Sequence, residues 1–210
     1  GGGDVTRAIY EAGYGSPSRV YEHGAARIGM TPARYARGGA GESIHWTTLP
    51  CRLGLALVAA TERGICAVLL GEDEATLAAQ LRAEFPAAAL SRCDAGRDAF
   101  LAPRIEAVAA ALAGKDAPRV PVELVGTAFQ HRVWQALMGI PPGERRSYAE
   151  VAAQIDAPRA VRAVASACAN NRVAVLVPCH RVVRGDGSLA GYRWGLPLKQ
   201  RLLADEVAEG

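Results

Sequence analysis

The residues best suited to covalent chemistry lie in the run Pro178-Cys179-His180-Arg181. A thiol attacks as its thiolate, and a neighbouring imidazole or guanidinium favours that form. His180 and Arg181 supply both groups. The apolar run before them, Val173 to Val177, reads as a buried strand, and Pro178 pushes Val177 toward extended backbone. The cysteine is therefore expected where a rigid strand meets a basic turn. Taken alone, a Cys-His pair more often marks a structural cysteine beside a chance histidine, by about three to one.

A helix that precedes this run carries a second pattern. Pro158 opens it and it extends from Arg159 to Ala169. Val161, Val164, Ala165 and Cys168 recur at core-facing spacing, whereas Arg159, Arg162, Ala163 and Ser166 lie on another face. Small side chains on that face would let the backbone approach DNA closely, with the Arg162 guanidinium projecting beyond it. An ordinary alanine-rich surface helix has the same pattern.

These residues need a frame. Thr127 can cap a helix running through Val133, Trp134 and Leu137 to Met138, stopped by Pro141-Pro142-Gly143. Ser147 can cap a helix from Tyr148 to Ile155, with Glu150 completing a capping box. Short helices a few residues apart suggest a helix-turn-helix. A last helix runs from about Leu198 to Val207. This segment, residues 126–210, is mostly helical.

Residues 42–125 mix strands and helices. Ile44–Leu49, Gly54–Ala60 and Gly64–Leu70 read as strands, with a hairpin turn at Glu62-Arg63-Gly64. Asp73–Phe85 and Asp98–Leu112 have helical spacing, and Val120–Val125 is extended. Residues 1–41 contain short helical patterns at Val5–Gly13 and Ser18–Ile28 and a helix start at Thr31-Pro32. They end in the loop Gly38-Gly39-Ala40-Gly41.

Half of the 210 residues are apolar, enough to bury a core in one domain or two small ones. No apolar run approaches membrane-spanning length, and the first residues carry no signal-peptide pattern. The net charge of +3 divides into +2 over residues 1–41, −3 over 42–126 and +4 over 127–210. The last part is the candidate for a polyanionic partner. Cys51, Cys66, Cys93, Cys168 and Cys179 form no Cys-x-x-Cys pair and no disulfide framework. A reducing, cytoplasmic compartment is expected, with no metal and no cofactor; His45 with Cys51 is a poor start to a zinc site.

Pro178-Cys179-His180-Arg181-Val182-Val183 resembles the active-site signature of the methylated-DNA–protein-cysteine methyltransferases. The likeness extends from Gly126 to Glu206. It takes in Gly-Thr-Ala-Phe-Gln, Val133-Trp134, Ile140-Pro141, Ser147-Tyr148, Arg162-Ala163-Val164, Asn171 and Gly191-Tyr192. Residues 42–125 resemble the family's small first domain more loosely. Residues 7–40 resemble the last part of an AraC-type helix-turn-helix, an order similar to bifunctional Ada-type adaptive-response proteins.

The resemblance implies a small α/β, ribonuclease H-like domain followed by a winged helix-turn-helix-like alkyltransferase domain. It implies a partner, double-stranded DNA containing alkylated guanine, and a monomeric protein associated with the nucleoid and not with a membrane. Cys179 would accept the O6-alkyl group irreversibly, once per molecule. His180 would take the thiol proton through a water, and Glu206 would orient His180. Asn171 would brace the turn before the cysteine. Arg162, between Ala160 and Ala163, would fill the gap left by an everted nucleotide, and Tyr148 would assist flipping and bond the purine. The Val182 backbone and the Tyr192–Arg193 turn would read the guanine edge.

Two positions depart from the family pattern. Arg193 stands where some relatives have a small hydroxyl residue and would exclude bulky alkyl groups if its side chain intruded. Cys168 lies on a pocket-lining position where some relatives have methionine, and it reads as packing. Some relatives carry a structural zinc in the first domain; its ligand pattern is missing here. A transcription regulator sensing through its cysteine domain, a cysteine hydrolase and a non-catalytic lesion binder are the competing readings.

Overall fold

The computed structural model describes residues 37–94, 98–115 and 117–208. The helices expected before residue 37 lie outside them. Three strands form an antiparallel meander: β1 (Ser43–Cys51), β2 (Gly54–Thr61) and β3 (Gly64–Gly71). Asp73 caps α1 (Glu74–Glu84) through the Thr76 amide, and Phe85 closes it, as the sequence predicts. A short strand, β4 (Ala89–Arg92), then pairs parallel to β1, giving the sheet order β3-β2-β1-β4.

The sheet is covered on both faces, which is why β2 and β3 are almost continuously buried. Leu57 and Leu69 face α1 with Leu77, Leu81 and Phe85. On the other side, Val58, Val68 and Leu70 join a larger core that includes Val108 and Leu112 of α2 (Ala102–Leu112). That core runs on, without a break, through Val133 and Trp134 to Cys179. The small mixed-sheet domain and the helical domain therefore share apolar packing.

The helical domain contains α3 (Ala128–Met138), α4 (Tyr148–Gln154), α5 (Val161–Ala169) and α6 (Leu196–Ala208). Thr127 with Gln130, and Ser147 with Glu150, form full capping boxes. Asp156 takes the left-handed position after α4 (φ 54°), and α5 packs back onto α4 across this short turn. Two short parallel strands, β5 (Arg146–Ser147) and β6 (Val182–Val183), tie the start of α4 to the chain just after Cys179. The Trp134 indole N–H donates to the Ala167 carbonyl at 2.9 Å, fixing α3 against α5.

Three expectations need correction. Helix α2 starts at Ala102, not Asp98. An earlier start would put Pro103 inside the helix, where its ring and missing N–H break the ladder. Helix α5 starts at Val161, not Arg159, because Pro158 sits in a turn closed by the Ala160 N–H on the Ala157 carbonyl at 2.8 Å. Val173–Val177 is not a strand. Only Val173 bridges the sheet, to Val68 on the free edge of β3. The Leu176 N–H then reaches the Ala174 carbonyl at 2.7 Å, closing a tight turn about Val175, whose φ is 60°. The apolar run is buried because this turn lies between the two domains, not because it is extended.

Gly114 packs against the last helix beside Glu206. It terminates α2 at φ 73°, and the Lys115 N–H returns to the Ala110 carbonyl. A Cβ there would lie 3.2 Å from the Cα of Glu206. Gly114→Ala should therefore lower stability by about 1–2 kcal/mol in urea titration, from the left-handed backbone alone. Unchanged stability would mean that residue 114 does not need the left-handed backbone at the end of α2.

Candidate active site

Asn171 follows α5 and is fully buried. Its side chain is fully engaged. The carbonyl oxygen accepts the Val173 N–H at 2.9 Å, and the amide nitrogen donates to the Val177 carbonyl at 2.8 Å and to Cys179 Sγ at 3.2 Å. One carboxamide thus holds both ends of the turn and the thiol that the turn delivers. Pro178 (φ −81°, ψ 60°) forms an inverse γ-turn, with the Cys179 N–H on the Val177 carbonyl at 2.8 Å. Cys179, 3% exposed, opens a short 3₁₀ turn through Arg181.

That turn sends the next two side chains toward α6. His180 Nε2 lies 2.8 Å from Glu206 Oε1. Arg181 meets the same oxygen through Nε at 2.9 Å and Nη2 at 2.7 Å, and also donates to the Ile140 carbonyl. The second oxygen of Glu206 accepts the Gly143 N–H at 3.2 Å. Against the opposing effect of burial, the bonds from His180 and Arg181 hold the Glu206 carboxyl down at about 2. His180 is itself 1% exposed, and burial pushes its pKa down against the pull of Glu206. A neutral imidazole with Nε2 on the carboxylate presents Nδ1 as the free basic position, and Nδ1 has no partner.

The sequence reading placed Arg181 beside the thiol as a source of positive field. Its charge is instead spent on Glu206. The cation acting most strongly on Cys179 is Lys199, ahead of Arg193, and sequence reasoning missed it. Lys199 of α6 is fully buried and donates to the carbonyls of Val182 at 2.6 Å and Ala190 at 3.4 Å. Burial pushes the Cys179 thiol up to about 11, while the Asn171 bond and the Lys199 charge pull it down. A signal for Lys199 existed: Lys199, Leu202, Leu203 and Glu206 share one face at helical spacing, and all four are buried. Two charges on an apolar face require internal partners.

The other expected residues surround this centre. Tyr148, the first residue of α4, is buried, and its hydroxyl is pushed up to about 12, chiefly by burial. Val182 is buried in β6. The Tyr192 ring lies edge-on to His180 at 6.4 Å, and its buried hydroxyl lacks a partner. Cys168 is buried in the core, as packing requires. Arg162 and Ala163 are exposed on the outer face of α5, with Ala160 half-buried at its start.

Arg193 does not point its charge inward. It pairs with Glu84 at the end of α1, and the other Glu84 oxygen takes Arg172 Nε at 2.5 Å. A residue of the first domain thus grips the neighbours of both Asn171 and Tyr192. This clasp was invisible in the sequence, where Glu84 is 109 positions from Arg193.

Comparison with known proteins supplies a context. Residues 44–124 match the family described as "6-O-methylguanine DNA methyltransferase, ribonuclease-like domain", and residues 128–208 match its "DNA binding domain". The chain is 47% identical over 207 residues to the Escherichia coli "Bifunctional transcriptional activator/DNA repair enzyme Ada", covering 98% of this chain but 57% of that protein. Among solved structures, it resembles the Mycobacterium tuberculosis O6-methylguanine methyltransferase with a TM-score of 0.64 and 33% identity. That match covers 80% of this chain and 94% of the other. The same enzyme in complex with DNA matches with a TM-score of 0.64 and 35% identity, over 79% and 94% of the two chains.

Removing the Lys199 charge should raise the Cys179 pKa further. Lys199→Met is expected to slow Cys179 alkylation by iodoacetamide at fixed alkaline pH by at least roughly threefold, read by peptide mass. An unchanged rate in a folded variant would show that Lys199 serves only the Val182 and Ala190 carbonyls.

Proposed function

Because the chain belongs to the 6-O-methylguanine DNA methyltransferase family, we infer that it is a DNA-repair protein that transfers the O6-alkyl group of guanine to its own Cys179. The observation that carries this reading is a buried thiol bonded by Asn171, next in the chain to a buried histidine anchored by Glu206. In this account His180 Nδ1 takes the thiol proton through a water. The thiolate attacks the alkyl carbon; an S–C bond forms as the C–O bond breaks, and guanine leaves with the electron pair. A thioether is not readily reversed, so each molecule acts once.

The alkyl carbon is buried in a DNA duplex, so the base must be extruded at a cost of a few kcal/mol. Exposed Arg162, flanked by Ala160 and Ala163, is suited to fill the gap. A planar guanidinium can stack and donate to the orphaned base. Tyr148, neutral at physiological pH, can donate to the purine, and the Val182 backbone and the Tyr192–Arg193 turn lie in the elements that would read its edge. Arg193, held by Glu84, would act there through its backbone.

The proposed domains are residues 1–41, a partial AraC-type segment and linker; 42–125; and 126–210. The meander extended by a parallel fourth strand supports a ribonuclease H-like label for the first folded domain. The α4–α5 pair beside the β5–β6 ribbon supports a winged helix-turn-helix-like label for the second. The reading is of a monomer acting on double-stranded DNA in the cytoplasm; no described helix is long and apolar enough to cross a membrane.

Mixed with a duplex containing O6-methylguanine, the intact protein should gain one methyl group, mapped to Cys179, and then stop. Methylation of another cysteine, or repeated turnover, would overturn the assignment. Cys179→Ser should bind the lesion duplex and transfer nothing. Arg162→Ala should slow transfer from duplex by roughly ten- to a hundredfold, the equivalent of about 1.4–2.8 kcal/mol, yet barely change the slow reaction with free methylguanine. Equal slowing of both substrates would remove Arg162 from the flipping role.

A further inference from the structure

Far from Cys179 in the chain, three potential metal ligands converge within the first domain. His45 belongs to β1, Cys93 directly follows β4, and Asp98 lies in the turn ahead of α2. One ligand atom from each lies within 4.8 Å of the other two, and among the described residues no other such group of three occurs. All three residues are partly buried, so a cation could reach them from solvent.

The geometry fits a tetrahedral ion. Cys93 Sγ lies 3.4 Å from His45 Nδ1. Zinc bonds of about 2.3 Å to sulfur and about 2.05 Å to nitrogen place those atoms about 3.6 Å apart in a tetrahedron. The backbone already holds the donors in place. The Cys93 N–H donates to the Trp46 carbonyl at 2.8 Å, next to His45. Asp98 Oδ1 accepts the N–H groups of Phe100 and Leu101 at 2.9 and 3.2 Å, which orients the carboxylate. The His45 ring packs 5.6 Å from that of Phe100. A thiolate, a carboxylate and a neutral imidazole together carry two negative charges, matching a divalent cation. Sulfur and nitrogen donors favour zinc over magnesium or calcium.

We propose that His45, Cys93 and Asp98 form a three-ligand site for a zinc-type divalent cation, with a fourth position left to water. This departs from the sequence reading, which expected no metal and paired His45 only with Cys51. A bound ion would pin the end of edge strand β4 and the turn before α2 to β1.

Cobalt(II) is the probe, because a thiolate ligand gives it a near-ultraviolet charge-transfer band and tetrahedral geometry intensifies its visible bands. The metal-free full chain carrying Cys179→Ala should develop both, saturating at one equivalent and abolished by zinc but not by excess magnesium. Adding Cys93→Ser should remove the charge-transfer band, and His45→Gln or Asp98→Asn should weaken binding by at least about tenfold, in variants whose thermal melts show them folded. No band, or a band that survives Cys93→Ser, would overturn the proposal. The unaltered chain gives an independent test: zinc should protect Cys93 from iodoacetamide, and equal labelling with and without zinc would also overturn it.

Discussion

A single buried carboxamide governs the centre of this protein. Asn171 bonds the Val173 N–H, the Val177 carbonyl and the Cys179 thiol, in a place with no access to water. Each bond is therefore obligatory, since an orphaned polar group there would cost about 1–3 kcal/mol. The turn it closes places Val175 in the left-handed region, which a β-branched residue avoids without outside support. Because that turn is fixed, Cys179 begins a 3₁₀ turn at one position, and His180 and Arg181 follow into the reach of Glu206.

The charges behind the turn are apportioned so that the thiol and the imidazole keep separate tasks. Burial keeps the His180 imidazole uncharged against the pull of Glu206, whose carboxylate is shared with Arg181 through a multidentate contact. Lys199 has only carbonyl partners, so its positive field remains available to a thiolate. A buried ion pair is weak evidence for stability; here it fixes the carboxylate that anchors the His180 ring. The first domain contributes from the other side, through Glu84, which holds Arg172 and Arg193 next to two residues of the site.

Much of this was legible in the chain. The caps at Asp73, Thr127 and Ser147 have local chemistry, so their helices were read almost to the residue. The outward face of α5 followed from spacing. What was lost depended on distant partners. Strand β4 is four residues long and mostly exposed, and it exists because β1 offers a parallel edge. The run at Val173–Val177 has strand composition, yet Asn171 bends it. Arg181 looked like the thiol's cation because it is near in sequence, whereas Lys199 reaches Cys179 only through the fold. Glu84 and the His45–Cys93–Asp98 group carry no local signal at all.

The central claim is that Asn171 delivers the reactive thiol. Its most direct test is the single-turnover rate of methyl transfer from an O6-methylguanine duplex to Asn171→Ala. The account predicts a loss of roughly a hundredfold or more, with lesion-DNA binding retained and the helical content of the fold intact. Transfer to Cys179 at the unaltered rate would contradict it, because the turn and the thiol would then find their positions without the carboxamide.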